Sequence, residues 1–597
     1  MSSLARFTFS LSLAVALSFT FSAERAIDGC QRAISDISCD VSYPYRQADG
    51  SCNNIKQPTR GRTNSPFRRL LSPVYDQNDG NTPRLVSVAP GNPPLPSPRT
   101  VSTNVHPPGN ALSDDATVML MQWGQFLDHD ITHTPQTSSP NKLCCSGLTN
   151  GSDFHPDVRS GGPCHPIMAP EDDPYFNTQN TRCISFTRSE GVLDDMSIRQ
   201  QYSDITPFLD GSQIYGSSET HARSLRSFEN GKLRAKIING EEFLPKWEDD
   251  SQCFKLEPGD YCFLAGDVRV NVYPGLNALH TVFLRYHNLL CERLKAAHED
   301  WTDEKLYQQA RRIVGAILQK VSYSDYLKTL LGETVAKIYD LLPGDGDYAY
   351  NDIVDPTLSN AFSTAAYRFG HSSIPDDLQI GNETVPTGKL YLRPKFVLNG
   401  LDDVIKALSE GKQQRVDRTY SRGVTDQLFE PPKRPGKGFD LVALNIQRGR
   451  DHGLPPYNAF RRFCGLPAYA RFSDLQSGQS EFSKVYASPD DIDLYSGGLS
   501  EKPVQGGRIG EVFTCILALQ FRDLKFGDRF WYENQADPTT AFTPAQIAQV
   551  NSFSLAKVIC DVTGISRIQP NLFLTPVGSN TRMRCSGYRD LNIEQDW

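Results

Sequence analysis

The sequence predicts a large, mainly α-helical, single domain with minor short strands, stabilised by disulfides. Three observations carry that expectation. Apolar residues recur at helical spacing over long stretches, while strict alternation, the mark of a half-buried strand, is scarce. After residue 110 no internal repeat, low-complexity tract or long linker divides the 597-residue chain. All 14 cysteines lie beyond the first 22 residues, an even number that permits full pairing in an oxidising compartment.

Along the chain, residues 1–22 read as a secretory signal peptide, because Arg6 leads an apolar, Ser-punctuated run that ends in small residues. The expected destination is extracellular. Residues 23–110 form an N-terminal segment, proline-rich from Gln57 to Pro108 and densest at Pro93-Pro94-Leu95-Pro96-Ser97-Pro98. It should wrap the core as extended chain rather than form helices. Residues 111–597 make the main body. No second apolar run is long enough to span a bilayer. The formal charge of -8 is mild for this length and basic residues are scattered, which argues against nucleic acid or an anionic membrane as partner. Asn150-Gly151-Ser152 and Asn382-Glu383-Thr384 are glycosylation acceptors in a secreted context.

Ser113, followed by Asp114 and Asp115, reads as a helix cap with acids in the first turn. Val118, Leu120, Met121, Trp123, Gln125 and Leu127 then continue at helical spacing, so Gln125 and His129 share a face one turn apart. The run Trp123-Gly124-Gln125-Phe126-Leu127-Asp128-His129-Asp130 packs an amide, an imidazole and two carboxylates together, a group that must serve chemistry or a metal if buried. Thr206-Pro207-Phe208-Leu209-Asp210-Gly211-Ser212 repeats oxygen-bearing residues around a turn, which suits a hard cation such as calcium. Leu276 to Lys295 and Glu304 to Gln319 read as two further helices.

Together with Ala265-Gly266-Asp267-Val268-Arg269, Tyr367-Arg368-Phe369-Gly370-His371 and Leu444-Asn445-Ile446-Gln447-Arg448-Gly449-Arg450-Asp451-His452-Gly453, these segments resemble the animal haem peroxidases. The resemblance runs from about Cys39 to Cys585, with the blocks in family order. It implies haem b, calcium, hydrogen peroxide and a reducing substrate. Peroxide cleavage needs a base that takes one proton and returns it, and a fixed cation for the developing charge. His129 and Arg269 would supply these: imidazole titrates near the working pH, and guanidinium stays charged. Gln125 would line the same pocket. His371 resembles the proximal iron ligand and Asn445 the partner that orients its ring. Arg368 and Arg448 are candidates for haem propionates. Asp130, Thr206, the Phe208 carbonyl, Asp210 and Ser212 would hold calcium, fixing the backbone next to His129. Cys39 with Cys52, Cys253 with Cys262, Cys464 with Cys515, and Cys560 with Cys585 match family bridges; Cys144, Cys145, Cys164 and Cys183 should form two more in an open order, and Cys30 and Cys291 are left to join each other, stay free or bridge to a partner chain.

One departure matters. The family esterifies its haem through an aspartate and a glutamate; Asp128 matches the first, but Val272 stands at the second, and Tyr273 stands where some members place a sulfonium-forming methionine. At most one ester link, through Asp128, is expected. Phenols, tyrosyl side chains, iodide, thiocyanate or bromide are then the expected substrates rather than chloride. Other readings weigh less. His129 and His133 have a zinc-like spacing without the HExxH glutamate. The related fatty-acid oxygenases place a radical tyrosine where Arg368 stands. A haem-binding adhesion or scaffold protein with little turnover, a catalase-like balance, and an extracellular-matrix partner complete the alternatives.

Overall fold

The computed structural model describes residues 37–137, 144–145, 162–344 and 348–597. The expected signal peptide, Cys30 and the Asn150 acceptor lie outside the described residues. Helices dominate, as the periodicity predicts. Strands gather in one three-stranded and several two-stranded pieces among the described residues, too short to form a layer of their own.

Helix α1 (Pro98–Val105) corrects the expectation that the proline-rich segment stays extended. Ser97 caps it by accepting the Arg99 amide and Pro98 occupies the first turn, where its missing N–H costs nothing. Its Arg99 side chain is buried and donates to Asp173 (2.7 Å), Asp440 (2.8 Å) and Asp426 (3.1 Å). That network binds the N-terminal segment to the body. Helix α2 (Val118–Ile131) carries the Gln125 to Asp130 run. Its start is a second correction: Ser113, Asp114 and Asp115 belong not to a helix cap but to strand β1 (Leu112–Thr117), paired with β2 (Lys412–Gln414). The acids there meet Arg415 and Arg508 instead of a helix dipole. Cross-chain pairing has overridden a local capping signal.

Helix α3 (Pro274–Ala297) buries Leu276, Leu279, Val282, Phe283, Leu290 and Leu294, and α4 (Asp303–Val321) is capped by Thr302 with Asp303 and Glu304 in its first turn. Both match the sequence reading to within two residues at each end. The stacked rings of Phe126 and Phe283, 5.4 Å apart, lock α2 onto α3; burying each such ring is worth about 2–3 kcal/mol. Gly124 is required on α2 because a Cβ there would lie 2.7 Å from the Tyr326 hydroxyl. Helix α5 (Leu441–Asp451) begins at Asp440, whose carboxylate accepts the Ala443 amide while also holding Arg99.

Six disulfides are present among the described residues. The four expected pairs form, and the open order resolves as Cys144 with Cys164 and Cys145 with Cys183. Cys291 is buried on α3 and has no disulfide partner among the described residues. No helix of the described residues is long and apolar enough to cross a membrane.

Candidate active site

Helix α2 ends by presenting Asp128, His129 and Asp130 in three directions, as consecutive helical residues must. His129 is 4% exposed, and its Nδ1 lies 3.5 Å from Asp267 Oδ1, beyond hydrogen-bonding reach. Burial, reinforced by the Arg269 charge, pushes its pKa well below the ordinary imidazole value, so the ring is neutral and able to accept a proton.

Arg269 sits on a short 3-10 turn, Val268–Asn271, capped by Asp267. Its Nε and Nη2 donate to the two Asp267 oxygens at 2.9 and 2.8 Å, a bidentate fork. Nη2 also donates to the Thr132 carbonyl (2.9 Å), and Nη1 to Asp128 Oδ2 (3.2 Å). Burial alone would raise the Asp267 carboxyl, but Arg269 and then His129 outweigh it and hold the group below the usual carboxylate range. Asp128 is raised by burial, partly offset by Arg269 and Arg368. Gln125, half-buried, accepts from Gln122 Nε2 at 3.1 Å.

His371 stands in a 3-10 segment, Ala366–Ser373. Its Nδ1 lies 2.8 Å from Asn445 Nδ2 on α5, and no described residue engages its Nε2. Arg368 Nη1 donates to Asn445 Oδ1 (3.1 Å), and its Nε donates to the Ser363 carbonyl (3.0 Å). Burial, with Arg368 beside it, lowers His371 to about 3, which leaves a neutral imidazole fit to ligate a metal. In this arrangement Asn445 Nδ2 donates to Nδ1, which leaves the ring proton on Nε2; turning the amide over would let Oδ1 accept from Nδ1–H and bare Nε2 for a metal, at the cost of the Arg368 bond to Oδ1. Thr132 Oγ1 and Ser363 Oγ, 2.5 Å apart, tie the end of α2 to this second group. Arg448 lies deeper: its Nη1 is shared among Thr187 O (2.9 Å), Ser189 Oγ (2.9 Å) and Asp451 Oδ2 (3.2 Å), with Phe186 under its plane.

Beneath His129, Asp130 and Asp210 are both buried. Asp130 accepts from the Ser212 amide (2.6 Å) and the Gly211 amide (3.3 Å), and its carbonyl accepts from Ser212 Oγ (2.7 Å). Asp210 accepts from Thr206 Oγ1 (3.1 Å) and the Ser212 amide (2.9 Å). Burial, then the Asp210 charge, raises Asp130 well above its ordinary value. Two buried carboxylates ringed by hydroxyls form a donor set that fits a divalent cation. Phe208, also buried, lies on the same loop.

The structure thus gathers His129, Arg269 and Asp128 into one cluster, His371, Asn445 and Arg368 into a second, and Asp130, Thr206, Asp210 and Ser212 into a third. Sequence reasoning gave no role to Asp267, though its position two residues before Arg269 was a signal for a fork closed within one turn. It also passed over Thr132 and Ser363, which nothing local marks.

The animal haem peroxidase family profile matches residues 45–573. The chain belongs to that family. It is 36% identical to mouse myeloperoxidase over 95% of this chain and 81% of that protein. It is 34% identical to Drosophila melanogaster peroxidasin over 92% of this chain, which spans only 37% of peroxidasin's length. Among solved structures it resembles peroxidase A of Dictyostelium discoideum (TM-score 0.74, 28% identity, 89% of this chain and 99% of that one). Rice fatty acid α-dioxygenase shares the fold alone (TM-score 0.69, 22% identity, 88% and 86% covered). Membership in the family makes the chain a haem-dependent oxidoreductase of the peroxidase type.

Proposed function

We propose that this member of the animal haem peroxidases is secreted, reduces hydrogen peroxide, and oxidises phenols, tyrosyl side chains or the small anions iodide, thiocyanate and bromide. The reading is carried by one observation: a neutral buried His129 beside a forked Asp267–Arg269 pair, on a helix whose end is tied through Thr132 and Ser363 to a His371–Asn445–Arg368 group. Six disulfides support export. An extracellular-matrix partner is part of the same proposal.

The residues fit haem b. His371 would hold the iron through Nε2, with the Asn445 amide turned so that Oδ1 accepts from Nδ1–H. Haem, when bound, supplies the electrons that cleave the peroxide bond and recovers them from the reducing substrate. His129 takes the proton from one peroxide oxygen and delivers it to the other, so that the departing oxygen leaves as water. Arg269 keeps a guanidinium charge close by, its orientation set by Asp267. Gln125 positions water or a small anion. Arg368 and Arg448 are the propionate partners, Arg448 the weaker because its Nη1 already serves three acceptors. Asp128 offers the single ester link, since Val272 has no carboxylate. Calcium would bind Asp130, Thr206, the Phe208 carbonyl, Asp210 and Ser212, and stiffen the turn that carries His129.

A peroxide-dependent guaiacol assay tests the activity. His129→Ala should keep its Soret band while losing fast peroxide cleavage by about a hundredfold or more; an unchanged rate would remove His129 from the mechanism. Chelation of calcium should lower the melting temperature and disturb the Soret band together, and an intact spectrum after complete removal would end the structural role given to the cation.

A further inference from the structure

We propose that a small cavity beside Asp210 binds one monovalent anion of halide size, and that its occupancy strengthens calcium binding at the adjoining Asp130 and Asp210. The second half rests on the calcium reading above; the anion site does not.

The cavity has room of about 30 Å³ and is lined by Arg46, Arg311, Arg312, Gly315 and Phe542 as well as Asp210. That space suits a water or two, or one small anion. Arg311 is 6% exposed, and its Nε and Nη2 reach no acceptor among the described residues. Its Nη1 donates to the Arg46 carbonyl at 3.2 Å. Buried donors without acceptors are rare, and a charged one asks for an anion more than for a dipole.

The charges around the cavity do not cancel. Arg46 is paired with Asp528 at 2.5 Å. Arg312 donates to the Thr540 carbonyl and lies 3.9 Å over the Phe542 ring, with no carboxylate partner among the described residues. Arg311 leans electrostatically on Asp210, but a divalent cation at Asp130 and Asp210 would claim that carboxylate. Arg311 and Arg312 would then both face the cavity uncompensated. An anion there offsets them and weakens their repulsion of the cation. Gly315 supplies an independent sign: it sits mid-helix in α4, where glycine is disfavoured, yet a Cβ would meet nothing within 4 Å. No close packing requires the glycine. What it preserves is open space beside Arg311.

The test uses the holoprotein and bromide. Crystals equilibrated with sodium bromide should show an anomalous peak at Arg311 Nε and Nη2; water density alone overturns the site. In solution, calcium affinity is read by chelator competition in sodium bromide and in sodium methanesulfonate, whose anion is too large for the cavity and binds calcium negligibly, at matched ionic strength. The wild type should bind calcium about fivefold tighter in bromide, and Arg311→Gln should erase the difference. Should that variant fold poorly, Gly315→Met, which fills the open space and leaves Arg311 in place, must erase it too. A peak with equal calcium affinity in both salts overturns the coupling. Failure to bind calcium in either salt overturns the calcium reading and the coupling with it, while the bromide peak still decides the anion site.

Discussion

Asp267 does for Arg269 what no long-range contact could: it caps the turn, accepts the arginine's own amide at 2.8 Å, and forks with its guanidinium. The cation is thereby oriented before any ligand arrives. Asp267→Asn keeps the cap but halves the fork's acceptors, so peroxide reaction measured by stopped flow should slow by roughly tenfold or more, while the Soret band persists. A rate equal to wild type would make Asp267 a bystander. Arg269→Lys should do worse, because an ammonium cannot hold two oxygens and the Thr132 carbonyl in one plane. At this scale the chemistry-bearing residues were legible in the sequence, since proton transfer and metal ligation admit few residue types. Asp267 was not, because a carboxylate two residues from an arginine is common and only the turn's geometry makes it a fork.

Elements bring those residues together through buried charge as much as through apolar packing. Asp440 caps α5, the helix of Asn445, and also accepts from Arg99 of α1. Removing Arg99 leaves Asp173, Asp426 and Asp440 without their shared cation in a dry interior. Arg99→Ala should therefore cost about 3–5 kcal/mol in denaturant unfolding, and loss of less than about 1 kcal/mol would show that water replaces the arginine. Helix α1 itself had a signature, a serine cap followed by proline, which the surrounding prolines masked. The start of α2 misled in the opposite sense. Ser113-Asp114-Asp115 obeys local capping rules, but pairing with Lys412–Gln414, from the far half of the chain, wins the backbone hydrogen bonds. Long periodic helices such as α3 and α4 were legible because their buried faces are written in the sequence; short strands paired across hundreds of residues were not.

The whole molecule buries several histidines as neutral rings. Burial lowers His106 to about 3, and His280 and His287 each to about 4. In the unfolded chain these rings protonate near pH 6.5, so the folded state gains from their neutrality above that value. The gain drains away as pH falls from about 6.5 toward 4, at up to about 1.4 kcal/mol per pH unit for each ring. Urea midpoints taken with calcium in excess should hold level above pH 7 and fall steadily from pH 6.5 to 5; a flat profile would mean that these rings are solvated or that the interior relaxes around them. Disulfide partners also belong to this scale, because the order among Cys144, Cys145, Cys164 and Cys183 depends on a fold that places Cys183 beside Cys145. The central claim is that His371, oriented by Asn445, holds the iron of a haem on which all the other assignments converge. Haem content and the optical spectrum of the purified protein, expressed with ample haem precursor, test it most directly. The account predicts one haem per chain with a Soret band that His371→Ala abolishes or shifts to a weakly bound form; a colourless wild-type protein, or an identical spectrum in His371→Ala, would contradict it.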